Sequence, residues 1–292
     1  MKYVINIIEF NFVKRSLLIM KYIAALLLSL LITMPAMASE GTHGYADSWQ
    51  LNFQPSISPI KTEINDFHNI LLVIVTAIVV IVTLLLMYAV VAFRRRKGVE
   101  PAKFSHNTLI EIIWTIVPVI ILIVIAIPSF KLLYLENRIP EPGLTIKTTG
   151  YQWYWGYEYM DYDGLEFLSY PIADADIDES KGQRRLLSTD APVVVPVDTN
   201  IQLLVTSADV IHAFALPAAG VKKDGIPGRL NETWMRIDRP GTYFGQCSEI
   251  CGTGHAYMPI EIHAVSKEEF DAWTKSQGAK LKPKAEDKKE DL

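Results

Sequence analysis

The chain has 292 residues, half of them hydrophobic, a net charge of −4 and only two cysteines. That length allows one or two domains, and so high a hydrophobic share points to membrane segments. Two cysteines exclude a disulfide-built scaffold, and nothing in the charge balance points to nucleic acid.

In chain order, the first signal is KYIAALLLSLLITMPAMASE, Lys21–Glu40. A basic start, an apolar run and a small-x-small end at Ala36-Met37-Ala38 predict a cleaved secretory signal within residues 1–38. Ser39 is then the mature N-terminus, and Met20 is an alternative start. The competing reading is a third membrane helix, for which Leu17–Met34 is barely long enough. Residues 39–66 become an exported segment ahead of the membrane.

Phe67–Phe93 is an apolar run without Asp, Glu, Lys or Arg, longer than the ~20 residues a span needs. It stops at Arg94-Arg95-Arg96-Lys97. Leu109–Phe130 is a second run, bounded by Lys131 and containing Glu111, Pro118 and Pro128. Together they predict a transmembrane hairpin over 67–135. The basic residues of its 94–108 link place that link in the cytoplasm and both chain ends on the far side. Glu111 then lies near the cytoplasmic mouth of the second helix, where an ionisable group can simply snorkel.

Beyond Ile139 the texture changes to short β-branched and aromatic segments punctuated by Pro and Gly, as in a β-sandwich. Residues 139–270 carry ten Lys and Arg against nineteen Asp and Glu, so this exported domain is acidic. YQWYWGYEY, Tyr151–Tyr159, reads by period-two alternation as one strand with Trp153, Trp155, Tyr157 and Tyr159 on a single face and Tyr151 on the same side. Residues 271–292, ending in a mixed-charge stretch without apolar periodicity, read as a largely disordered tail.

Both cysteines fall in CSEICGTGHAYMP, Cys247–Pro259, with His255 and Met258 close behind. Two thiols in an exported domain can form a disulfide. Zinc accepts Cys and His but rarely Met. Thiolate, imidazole and thioether together form a soft set suited to copper. A second thiolate beyond the single one of a blue-copper site, joined by a histidine from elsewhere such as His212 of DVIHAFALP, could bridge two coppers and share an electron between them.

This loop resembles the dinuclear copper signature of the cytochrome c oxidase subunit II family. The likeness extends through YQWYWGYEY, SADVIHAFALP, KKDGIPGRLNETW and the helical hairpin, from about Phe67 to Ala264. It implies a two-helix transmembrane hairpin plus an all-β cupredoxin-like sandwich, a Greek-key barrel, docked on subunit I and accompanied by subunit III. The family also has mitochondrial members, but the cleavable export signal favours a bacterial inner membrane. Carried over by position, the copper ligands are His212, Cys247, the backbone carbonyl of Glu249, Cys251, His255 and Met258. The Glu249 side chain reaches a magnesium ion shared with subunit I. Asp224 and Arg229 lie near that interface, and Glu111 opens a proton-uptake path. Trp153 receives the electron from cytochrome c. Glu158, Asp161, Asp163 and Asp209 are the acids expected to dock that cytochrome, whose haem edge is basic. A quinol oxidase subunit would lack the Cys and His set, and a nitrous oxide reductase would need a large further domain. A copper carrier would not need the hairpin. No C-x-x-C-H follows the domain, so no fused c-type haem is expected.

Overall fold

The computed structural model describes residues 44–95, 98, 100 and 104–282. The expected export signal, Arg96, Lys97, Lys103 and residues 283–292 lie outside them. Two compact units emerge: one holds Leu72–Ile112, the other Glu40–Leu71 with Ile113–Leu292.

Two long helices come first, α1 (Pro59–Ala92) and α2 (Thr108–Asn137), both apolar enough to cross a bilayer and exposed along their spanning windows. α1 starts eight residues before the apolar run, because its first turn is seated on protein and not in lipid. Ile60 and Lys61 are buried there. Ser58 Oγ donates to Ala219 O at 2.6 Å and accepts from Lys61 N at 2.9 Å, capping the helix while fastening it. Ile57 N donates to Ala218 O. At the end of α2, Trp234 Nε1 donates to Leu135 O at 3.0 Å, and Lys131 meets Glu63 of α1 at 2.9 Å.

The remaining chain forms β1 (Leu144–Tyr151), β2 (Tyr154–Tyr159), β3 (Tyr162–Asp163), β4 (Glu166–Ser169), β5 (Val193–Pro196) and β6 (Ile201–Ser207). It continues with β7 (His212–Leu216), β8 (Val221–Gly225), β9 (Asn231–Met235), β10 (Gly241–Gln246) and β11 (Pro259–Val265), then α3 (Lys267–Ser276) and β12 (Lys280–Leu281). One sheet runs β4-β2-β1-β6-β9 and a second β10-β11-β5, with the pair β7-β8 separate. Alternation drives this layering. On β1, Leu144, Ile146 and Thr148 turn inward beside Ile201, Leu203 and Val205 of its parallel neighbour β6. Val193, Val195, Ile260 and Ile262 supply the facing side of the core.

YQWYWGYEY is not one strand. The chain reverses at Gln152-Trp153, so β1 and β2 pair antiparallel and Tyr151 stacks on Tyr154 at 4.8 Å on the outer face. Trp155, Tyr157 and Tyr159 do point inward. Tyr159 Oη both donates to Val194 O at 2.7 Å and accepts from Val194 N at 3.0 Å. Tyr159→Phe strands both backbone groups in the core, and chemical denaturation should show a loss of about 1–3 kcal/mol.

The expectation of a disordered tail from residue 271 is corrected over 271–282. α3 opens on a capping box, Ser266 with Glu269, and its Phe270 and Trp273 rings pack on Tyr159. β12 then pairs with β3. Aromatic burial outweighs the polar texture of this segment.

Candidate metal centre

β10 and β11 form an antiparallel pair closing at Gln246↔Pro259, and residues 247–258 are the loop between them. Its base is tied by Cys247 N to Met258 O at 3.0 Å, and Ser248 N to Ala213 O pins it to β7. That second bond brings His212, at the start of β7, beside the first cysteine. His212 Nδ1 lies 3.8 Å from Cys247 Sγ, the two Sγ atoms are 3.8 Å apart, and His255 Nδ1 is 3.7 Å from Cys251 Sγ. Both thiols are free and buried. Glu249 O lies 3.4 Å from Cys247 Sγ, while the Glu249 residue itself is exposed. Met258 is fully buried. The structure thus brings together two sulfurs, two imidazoles and a backbone carbonyl, with the buried thioether closing the loop. The donor atoms of His212, Cys247 and Cys251 fall within 4.8 Å of one another.

This donor set fits copper: soft sulfurs at the centre, imidazole nitrogens on either side. Burial opposes ionisation of both thiols. At Cys247 the hydrogen bonds from His212 and the neighbouring backbone outweigh it and bring the pKa down to about 6. At Cys251 burial and the adjacent Cys247 charge push it up to about 12. Burial also disfavours a charged His212, but its bonds to Cys247 and Asp209 outweigh this and raise its pKa. A metal cation would remove that mutual repulsion by drawing electron density from both sulfurs.

Sequence reasoning missed how Gln152, Asp209 and three glycines shape this site. Asp209 Oδ1 sits 2.8 Å from His212 Nε2, and its Oδ2 accepts from Gln152 N at 2.7 Å. A carboxylate only accepts, so Nε2 carries the hydrogen of that bond and Nδ1 is left to face the thiol. Burial works against the Asp209 charge, yet bonds from His212, Val210 N and Gln152 N hold its pKa below the usual carboxylate range. Gln152 Nε2 and Trp153 Nε1 both reach Cys251 O, at 2.8 and 3.3 Å. The Trp153 indole lies so close on the loop that a Cβ at Gly254 would come within 2.4 Å of it. The His212 ring also lies close on Gly150, 2.7 Å from where a Cβ would be. Gly252 adopts φ +122°, a backbone region open to glycine. An aspartate three residues before a strand-start histidine was the available signal for the Asp209 bond.

The other expected residues lie apart. Glu158 is paired with Lys147 at 3.1 Å, Asp161 accepts from Thr145 N at 2.6 Å, and Asp163 is 3.6 Å from Lys282. Asp224 and Arg229 are exposed on the segment that ends β8 and follows it. Glu111 lies in the first turn of α2, where its Oε1 accepts from Asn107 N at 3.3 Å while Asn107 caps Ile110 N.

Residues 144–265 match the family described as cytochrome C oxidase subunit II, periplasmic domain, and residues 46–132 match its transmembrane domain. A Rickettsia prowazekii protein described as a probable cytochrome c oxidase subunit 2 is 49% identical over 226 residues, covering 77% of this chain and 72% of its own. Cytochrome c oxidase subunit 2 of Arabidopsis thaliana is 47% identical over 238 residues, covering 80% and 91% respectively. The solved periplasmic domain of subunit II of cytochrome oxidase from Bradyrhizobium japonicum is 51% identical, covering 48% of this chain and 97% of that one, at a TM-score of 0.44. With two apolar helices of spanning length and a β-sandwich of periplasmic type behind them, the chain belongs to the cytochrome c oxidase subunit II family, as a membrane subunit of that oxidase.

Proposed function

We propose that this subunit holds two copper ions through His212, Cys247, the Glu249 carbonyl, Cys251, His255 and Met258, and receives electrons there from a reduced cytochrome c. The observation that carries this reading is the pair of free thiols 3.8 Å apart with an imidazole nitrogen within 3.8 Å of each. When bound, the copper pair supplies a one-electron relay to the metal centres of subunit I, where oxygen is reduced to water. The protein's own part is positional: Asp209 turns His212 so that Nδ1 faces the sulfurs, and the β10–β11 pair buries both thiols away from water. A rigid, dry ligand set changes little between oxidation states. Copper content and an electron paramagnetic resonance spectrum of the assembled oxidase test this: two coppers per chain sharing one unpaired electron are expected, and a single zinc would overturn it.

The remaining assignments follow from the same reading. The exposed Glu249 carboxylate is a ligand for a magnesium ion shared with subunit I, and Asp224 and Arg229 belong to that contact. The acidic excess of 139–270 steers a basic cytochrome c by its summed field, because exposed single pairs are individually weak. Glu158, Asp161 and Asp163 contribute to that field. Residues 39–66 and 139–270 are exported, 67–135 crosses the membrane twice, and the 94–108 link is cytoplasmic. A reporter at Leu292 should therefore be active only outside the cytoplasm, and cytoplasmic activity there would contradict the topology.

Glu111 is the proposed proton-path opening. Since its carboxylate also accepts the Asn107 backbone bond, two variants separate the roles. Glu111→Gln keeps an acceptor for the helix start but cannot titrate. Both Glu111→Gln and Glu111→Ala should slow turnover of the oxidase while leaving its copper spectrum intact. Parental turnover in Glu111→Gln would reduce the residue to a helix cap.

A further inference from the structure

The chain approaches α1 along a strap, residues 44–58, that is tied to the sandwich at both ends. Phe244 N donates to Gly44 O at 2.9 Å, and Ile57 N donates to Ala218 O at 3.2 Å. Between these ties the strap turns Trp49, Leu51 and Phe53 outward, 97%, 90% and 47% exposed. Three large apolar side chains displayed within five residues mark a contact surface, unlike apolar residues scattered singly. The backbone is strained to display the first of them. Gln50 N donates to Asp47 O at 3.2 Å and Gln50 Oε1 accepts from Asp47 N at 2.9 Å, closing a tight turn that holds Trp49 at φ +63°. A bulky residue rarely takes that left-handed backbone.

The depth of the strap says what covers it. The Phe53 and His68 ring centroids are 4.4 Å apart, and His68 is the second residue of the apolar run that begins at Phe67. At about 1.5 Å of rise per residue, Phe53 is thus level with the point where α1 enters hydrocarbon. The Lys61 ammonium lies over the Phe53 ring at 4.1 Å, on the first turns of the helix, which pack against protein. Tryptophan and phenylalanine suit this boundary, with apolar bodies among the acyl chains and the indole N–H among headgroups. Gln50 and Asn52 alternate with the apolar residues. Water and headgroups serve such amides without placed partners, whereas a protein interface would have to supply a partner for each.

We infer that the strap is an interfacial anchor: on the sandwich side of the membrane it lays Trp49, Leu51 and Phe53 into the headgroup and upper acyl region of the lipid leaflet beside α1. This role is independent of whether copper is bound. The contact continues the membrane-facing surface of α1 onto the segment that precedes it.

The test uses the parental oxidase in phospholipid vesicles and two reagents. A photoactivated aryl diazirine dissolved in the bilayer inserts where lipid touches protein, and hydroxyl radicals generated in the aqueous phase oxidise what water touches. Mass spectrometry of the peptide holding residues 48–53 reads both. Diazirine adducts on Trp49, Leu51 or Phe53 are expected. Oxidation without adducts would show the strap in water, and neither modification would show it covered by another subunit; either result overturns the inference. In the double variant Trp49→Ser with Leu51→Ser, adduct yield on that peptide should fall several-fold while copper content and kcat stay parental, since neither residue touches the metal centre. Undiminished adducts there would deny these side chains the anchoring role.

Discussion

Cys247→Ser and Cys251→Ser should each strip the oxidase of its two-copper signature and cut cytochrome c oxidation by more than about a hundredfold. Even an outer partner of a metal ligand is worth about 10–100-fold in affinity or activity, and these sulfurs are at the centre of the donor set. Serine nearly matches cysteine in size, so the fold should persist. What it replaces is a soft thiolate with a hard, neutral hydroxyl. The two positions are equivalent in outcome because the sulfurs lie 3.8 Å apart, each flanked by its own imidazole, so neither leaves a complete site behind. Metal analysis, circular dichroism and paramagnetic resonance on each variant check this. A delocalised copper spectrum surviving in either would refute the shared-thiolate reading.

Trp153→Ala should leave copper content intact and slow electron acceptance from cytochrome c by about a hundredfold, about 2.7 kcal/mol in effective barrier. The reason is contact. The indole nitrogen bonds Cys251 O, and ring atoms come within 3.1 Å of where a Cβ at Gly252 would be and 2.4 Å of one at Gly254. Gly254→Ala gives an independent route to the same effect. Its new methyl would come 2.4 Å from the indole, which must swing away, so transfer should slow with the tryptophan still present. Rapid mixing across ionic strength separates docking from transfer: affinity and its salt slope should be near parental in both variants. Transfer at the parental rate in copper-loaded Trp153→Ala would remove it from the path.

The metal loop was legible because all but one of its proposed ligands fall between Cys247 and Met258, where spacing alone exposes an unusual donor set. His212 lies a strand away: the donor set calls for a second histidine from elsewhere, DVIHAFALP offers one, and the resemblance singles it out. Gln152 was not legible in this role. Its meaning depends on a reversal at Gln152-Trp153, and that turn has no glycine, proline or asparagine to announce it. An aromatic run hid the turn behind an apparent period of two. The start of α3 was written locally in Ser266 and Glu269, but its charged composition masked Phe270 and Trp273, whose partners Tyr159 and Tyr162 lie a hundred residues earlier. The spans were visible as length and hydropathy. The first turns of α1 were not, since their burial is against the β-sandwich and not in lipid.

The bonds from Ser58 to Ala219 and from Trp234 to Leu135 fasten the sandwich near the start of α1 and the end of α2. A domain on a single flexible tether would act as a swinging shuttle, delivering charge only when diffusion happened to bring donor and acceptor near. Tied at two places instead of one, this domain should lack that stroke. Charge should leave it with single-exponential kinetics that are insensitive to solvent viscosity, and Trp234→Ala is the change expected to introduce a viscosity-dependent, gated phase.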